Sequence, residues 1–338
     1  MANVGTTIED LNEFLAQYHL VGAGLRREGE KRTGNASLHW KWEGISAALH
    51  QSGKIVTVGP GAMAGMRTIA GVEGYNSHIW MDYQILMPGE RTKAHRTMRS
   101  ETRLVWQAPK GALFVIENEA YPMERGDVVI TPSWTFHDHF NEGSEPAIWV
   151  DAFDNCYNRG ANISEGLPNG ANYQEITRPE GYTRDTLAQA RRLTEEPPFP
   201  LPPMRYPWSE TAEALAALKE NEVAEDPYEG LFLMFASPVD EGPTLPTIAW
   251  QVQQLEPRQK TLSHRHNSTT YYNAFEGEGT TVIEDERIEW HQGDLFAVPA
   301  WKWHHHENQS RNDAILFSID DWPALKKLGF YRKEEEPA

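Results

Sequence analysis

A single cysteine, Cys156, stands among 338 residues, so no intrachain disulfide can form and the chain suits a reducing compartment. Long apolar runs are missing too: nothing approaches the 18 or more residues that a membrane-crossing helix needs. The opening MANVGTTIEDLNEFLAQYHLVG has no basic start followed by a long apolar stretch, so a secretion signal is not expected and a cytoplasmic location is. Positive charge is in deficit, with 31 Lys and Arg against 49 Asp and Glu and a formal net charge of -18. Such a surface repels nucleic acid and anionic membranes, and neither is an expected partner. An anionic small molecule would need a local basic anchor. Against these absences, 39% hydrophobic residues and 12 tryptophans are ample for the cores of two ordinary domains.

The chain also repeats itself. Gly126–Asn141, GDVVITPSWTFHDHFN, matches Gly293–Asn308, GDLFAVPAWKWHHHEN, at seven of sixteen positions without a gap, 167 residues apart. His137 aligns with His304 and His139 with His306, while His305 falls opposite Asp138. Alternate residues of a strand share a face, so His304 and His306 point one way and His305 the other. Upstream, MPGERTKAHRT ending at Thr97 lines up with LEPRQKTLSHRH ending at His266, at an offset of 169. Between the markers lie short segments such as LVWQA, ALFVIE, AIWVDAF, YYNAF, LFAVP and AILFSI, rich in β-branched and aromatic residues and broken by Gly, Pro or Asn. That is the pattern of an antiparallel sandwich or barrel, present twice.

Four regions are expected: an N-terminal extension over 1–75 that packs on the barrels, a first barrel over 76–157, a Pro-rich and helical segment over 158–235, and a second barrel over 236–338. Helices are predicted at TIEDLNEFLAQY, WKWEGISAALHQSG, TRDTLAQARRLTEE and SETAEALAALKENEVAE, the last with Ser209 as N-cap. Trp134, Trp301 and Trp303 read as barrel packing, and Asn141 and Asn308 as turn residues.

HRH, then EGEG, then GD-x4-P-x-W-x-W-H-x-H resemble the two motifs of the cupin superfamily. The doubled arrangement is similar to the bicupin gentisate 1,2-dioxygenases and their relatives acting on salicylate and hydroxynaphthoate. ITPSWTFHDHFNEGSEPAIWVDAFD, YPWSETAEALAAL and ILFSIDDWPALKKLGFYRKE carry that resemblance from about residue 40 to the end. It implies an all-β bicupin of two double-stranded β-helix (jelly-roll) barrels with a few peripheral helices. It also implies mononuclear non-haem Fe(II), a hydroxylated aromatic acid and O2 as substrates, and a homo-oligomer, tetramer or dimer.

The second half carries a complete ligand set, His264, His266 and His304, because imidazole suits Fe(II). The resembled enzymes hold their iron in the first half, where the His-x-His pair has become His95-Arg96-Thr97. Either His95, Glu101 and His137 form a two-His-one-carboxylate triad, or the second site has taken over. The plain alternative for Glu101 is an exposed charge paired with Arg99 or Arg103. The resemblance assigns the substrate carboxylate to Arg103, a ring hydroxyl to His139, and orienting roles to Asp151 and Asp154. Arg103 could instead be a surface residue that neutralises nearby acids. Its second-half counterpart is Tyr272, and that of His139 is His306. Other expectations are a cupin lyase, isomerase or hydrolase using Mn, Zn or Ni, and a non-catalytic ligand-binding bicupin.

Overall fold

The computed structural model describes residues 5–18, 20–22, 37–59, 67–71, 79–154, 163–183, 204–221, 223–237 and 240–337. Strands dominate them, as expected. In the first half a seven-stranded sheet runs in the order Leu20–Gly22, Thr68–Gly71, Ile79–Leu86, Ala147–Asp154, Glu101–Gln107, Val128–Thr131, Arg205–Tyr206. A five-stranded sheet accompanies it, in the order Ser164–Gly166, His95–Thr97, His137–Asn141, Ala112–Ile116, Glu119–Pro122. The second half pairs a six-stranded sheet (Leu231–Met234, Ala249–Leu255, Ala314–Asp320, Thr270–Glu276, Leu295–Val298, Leu38–Trp40) with a five-stranded one (Glu286–His291, Glu278–Ile283, His304–Glu307, His264–His266, Lys333–Glu335).

The alternation along single strands shows how the layers stack. In Ala147–Asp154, Ala147 and Trp149 enter the apolar interior of the first half, while Ile148, Val150 and Ala152 join a core common to both halves. In Ala314–Asp320, Ala314 and Leu316 face the second interior, and Ile315, Phe317 and Ile319 face that same common core. These central strands are buried on both faces, which is why they read as near-continuous apolar runs rather than as alternating ones.

Each half also lends a strand to the other. Leu38–Trp40 pairs with Leu295–Val298 of the second half, and Arg205–Tyr206 pairs with Val128–Thr131 of the first. A helix follows each loaned strand, Trp42–Ile55 and Trp208–Glu220. The Gly-Asp of the repeated motif receives them. Asp294 accepts the backbone N–H of Trp42 at 2.8 Å, and Asp127 that of Trp208 at 2.9 Å. Gly293 and Gly126 hold φ of +95° and +89°, and a Cβ there would lie 2.5 Å and 2.6 Å from Cγ of Trp42 and Trp208. Only glycine meets both demands.

Here the expected Ser209 cap is corrected. The helix starts two residues earlier with Pro207 at the N-cap, and the Asp127 carboxylate from another strand does the capping. The predicted N-terminal helix is present as Ile8–Gln17, with Thr7 and Asp10 forming a capping box. Apart from its first residue, the helix expected at TRDTLAQARRLTEE lies outside the described residues. No described helix is long and apolar enough to cross a membrane.

Candidate metal centres

In the second half His264 and His304 sit directly opposite each other on neighbouring strands, their ring centroids 4.3 Å apart, and His266 shares the face of His264. One nitrogen from each of the three rings falls within 4.8 Å of the others. Second contacts fix the rings. His304 Nδ1 donates to the Lys302 carbonyl at 3.0 Å, and His266 Nδ1 lies 3.1 Å from the Ser268 carbonyl and 2.8 Å from its hydroxyl. A proton held on Nδ1 leaves Nε2 as a bare lone pair, the form a metal takes. His304 Nε2 is buried without a hydrogen-bond partner. Burial and the neighbouring His264 hold His266 at about 3 and His304 well below the usual imidazole range, so both rings stay neutral.

Sequence reasoning missed Glu229, whose Oε1 lies 3.2 Å from His264 Nε2. It sits in the turn Asp226–Gly230, closed by hydrogen bonds in both directions, outside every repeated motif. A cavity of about 220 Å³ opens here, with His266, Glu229, Gln251, Thr270, Tyr272 and Ser318 in its wall. His306 turns aside from the triad: its Nδ1 lies 2.8 Å from Thr281 Oγ1 and its ring packs edge-on against Tyr272. His305 faces the other way, 3.1 Å from Glu307.

The first half repeats the frame with different occupants. His95 and His137 are again directly paired, with ring centroids 4.4 Å apart, and their Nδ1 atoms donate to the Lys93 and Thr135 carbonyls at 3.0 and 3.1 Å. Thr97 replaces the third histidine, and its hydroxyl donates to Glu101 Oε1 at 3.2 Å. Ligand atoms of His95, Glu101 and His137 lie within 4.8 Å of one another. Glu101 Oε2 stands 3.2 Å from His137 Nε2. With the proton held on Nδ1, two lone pairs face each other across that gap, which is the arrangement a cation relieves. The residues of both triads therefore fit a divalent metal.

Arg103 is 2% exposed, which overturns the surface-residue alternative; Glu101 is equally buried, so the exposed-charge alternative fails too. Arg103 Nη2 lies 2.5 Å from Glu101 Oε2 and Nε 2.8 Å from Asp151 Oδ1, while Nη1 donates to Thr131 Oγ1 at 2.7 Å. Asp151 Oδ2 accepts from Trp149 Nε1 at 2.9 Å. Burial, above all, pushes Asp151 well above the usual carboxylate range despite Arg103, and lifts its cross-strand neighbour Asp82 to about 7. Burial works against Glu101 as well, yet its cationic surroundings, with Arg103 at 2.5 Å, hold it well below that range. His139 is buried against Phe114 and Trp149, and burial with Arg103 nearby keeps it neutral. Asp154 is spent elsewhere, on the Ser100 backbone N–H at 3.0 Å and on the Thr247 hydroxyl of the other half.

The strand pairing gives each of these residues a counterpart. Asp151 faces Asp82 and Arg103, whereas Ser318 faces Gln251 and Tyr272, and Thr270 stands at the position of Glu101. At these four positions the first half carries ionisable side chains and the second half neutral ones; the acids of the second half, Glu229 and Asp320, sit elsewhere, Asp320 at the position of Phe153. The tryptophan expectation needs correction: Trp134 and Trp301 are 39% and 37% exposed. Each occupies a left-handed turn position and lies under a guanidinium, Arg96 at 5.7 Å and Arg265 at 4.6 Å. Trp303 joins Trp301 beneath Arg265. Asn141 and Asn308 do brace turns, donating to the Glu145 and Asn312 carbonyls.

The cupin domain family matches residues 82–153 and 251–320. The 5-aminosalicylate 1,2-dioxygenase of a Comamonas species is 32% identical over 98% of this chain and 87% of its own length. Gentisate 1,2-dioxygenase 1 of Aquipseudomonas alcaligenes is 33% identical over 90% and 88%. The crystal structure of salicylate 1,2-dioxygenase from Pseudoaminobacter salicylatoxidans, in its adducts with gentisate, shares the fold with a TM-score of 0.77 at 24% identity, covering 92% of this chain and 88% of that one.

Proposed function

The chain belongs to the bicupin ring-cleaving 1,2-dioxygenases, and from that premise we propose that it opens the ring of a hydroxylated aromatic carboxylic acid with O2 at Fe(II), in the first half. The observation that carries this is Arg103, a buried guanidinium 2.5 Å from the carboxylate of a metal-competent triad. An aromatic acid entering a protein of net charge -18 needs a desolvated cation beside the metal, and the counterpart in the second half is a neutral tyrosine. Iron is favoured over Mn, Zn or Ni because two imidazoles and one carboxylate on one face leave positions open for substrate and O2. Bound there, Fe(II) would supply the passage of electrons between ring and oxygen.

The chain's own residues supply the rest. His95, Glu101 and His137 hold the metal, and Arg103 receives the substrate carboxylate in a bidentate pair. His139, neutral and buried beside Phe114, is placed to hydrogen-bond a ring hydroxyl. Asp151 orients Arg103 through its Nε at 2.8 Å, while its other oxygen accepts from Trp149. Phe114, Trp149 and the surrounding apolar cluster exclude water from these groups. The triad of His264, His266 and His304 is a second metal site on this reading.

Oxygen uptake by protein reconstituted anaerobically with Fe(II) tests it, with gentisate, salicylate, 5-aminosalicylate and 1-hydroxy-2-naphthoate as the panel. Uptake with any of them supports the reading, and none across the panel with metal verified as bound sinks it. A second reading places turnover in the second half, favoured by the cavity of about 220 Å³ whose wall includes Lys326 and Lys333 with His266. A cytoplasmic homo-oligomer, dimer or tetramer, goes with either reading, supported by the lone cysteine and by Leu328 and Phe330 exposed near the C-terminus.

A further inference from the structure

One oxygen in the first half has two employers. Glu101 Oε2 lies 3.2 Å from His137 Nε2, where it would complete the metal triad, and 2.5 Å from Arg103 Nη2, where it neutralises the carboxylate anchor. The other Glu101 oxygen is taken by the Thr97 hydroxyl. Arg103 is otherwise held by Asp151 and Thr131, so Glu101 accounts for the guanidinium edge nearest the triad. All of this is dry, with Glu101 and Arg103 each 2% exposed. In such surroundings a second carboxylate approaching Arg103 meets the charge of Glu101 at short range with little water to screen it. The second half has no such conflict, since Thr270 and Tyr272 stand at these positions.

We propose that Glu101 couples the two binding events: it occupies Arg103 until a divalent cation seated between His95 and His137 draws its carboxylate away, and only then is the guanidinium open to an aromatic acid. The inference rests on the reading that places the substrate in the first half. Metal and acid then bind in a fixed order. Because coupling between two ligands is reciprocal, the acid must tighten metal binding by the factor by which metal tightens the acid. Glu101 acts through Arg103 and is a positioning residue for the acid, as well as a ligand to the metal.

Calorimetry with salicylate as titrant, on metal-free protein and on protein loaded with redox-inert Zn(II), tests this without turnover. In the wild type, Zn(II) should tighten salicylate binding by roughly tenfold or more, and salicylate should tighten Zn(II) by the same factor. In Glu101→Gln, which keeps shape and loses charge, metal-free protein should bind salicylate more tightly than metal-free wild type, and the Zn(II) effect should largely disappear. A mere structural role for Glu101 would lower affinity in both forms. Equal salicylate affinity with and without Zn(II) in the wild type overturns the coupling, as does no gain in metal-free Glu101→Gln, provided Arg103→Gln still abolishes binding. If Arg103→Gln leaves salicylate affinity of the Zn(II) form unchanged, the first-half reading itself falls, and the coupling with it.

Discussion

The two halves share a frame and differ in charge. In each, a short strand carrying His-Arg-x pairs its first histidine with the histidine of the Pro-x-Trp run, and an added edge strand supplies a glutamate to the arginine between: Glu165 to Arg96, Glu334 to Arg265. Inside, Asp82, Glu101, Arg103 and Asp151 stand where the other half has Gln251, Thr270, Tyr272 and Ser318. Backbone pairing and apolar packing hold the frame, so a few inward positions can exchange ionisable side chains for neutral ones. The second half keeps three imidazoles, with Glu229 against His264 and no arginine at the position of Arg103. The first has given up one imidazole and gained a carboxylate beside an arginine.

The sharpest break in this comparison is removal of one matched histidine from each half. His137→Ala should lower kcat/KM by about a thousandfold or more, while His304→Ala should cost one equivalent of metal and leave turnover within a few-fold. Metal analysis and oxygen uptake on the two variants read this directly, and the reverse pattern would move the chemistry to the second half. Next in size are Gly126→Ala and Gly293→Ala. Each forces a Cβ into Trp208 or Trp42 at a left-handed backbone position, so each should destabilise by about 2–4 kcal/mol, and by similar amounts. Chemical denaturation would show unequal losses if the halves do not lean on their loaned helices alike.

Arg103→Lys should raise KM by about tenfold with a smaller change in kcat, because a point charge replaces a fork, whereas Tyr272→Phe should leave KM nearly unchanged. An unaltered KM in Arg103→Lys would return the carboxylate to some other anchor. The smallest effect belongs to the two edge pairs. Glu165→Gln and Glu334→Gln each break a partly exposed ion pair and should each cost no more than about 1 kcal/mol in thermal unfolding. A larger loss in one alone would mark that edge strand as a fastening peculiar to its half.

Much of this was legible in the chain before any coordinates. The constant offset between GDVVITPSWTFHDHFN and GDLFAVPAWKWHHHEN located both halves, and strand parity separated His305 from its neighbours. The triad of His264, His266 and His304 could be named because histidine spacing on a strand is a local property, whereas Glu101 came as one of two alternatives from the resemblance. Three things were beyond local reading. Glu229 sits in a turn with no periodic signal and reaches His264 only through the tertiary fold. Surface charge stayed open as an alternative for Arg103, because an acidic sequence does not reveal which of its acids are buried together. The loaned strands Leu38–Trp40 and Arg205–Tyr206 are three and two residues long, too short for any pattern, and their partners lie far along the chain.

Those loans tie the fates of the halves together. Neither barrel can be shed, shuffled or expressed alone without stripping an edge from the sheet left behind, together with the tryptophan-led helix that follows it. The side chains that line the two interiors differ, whereas the loaned strand and the tryptophan-led helix behind it recur in both halves.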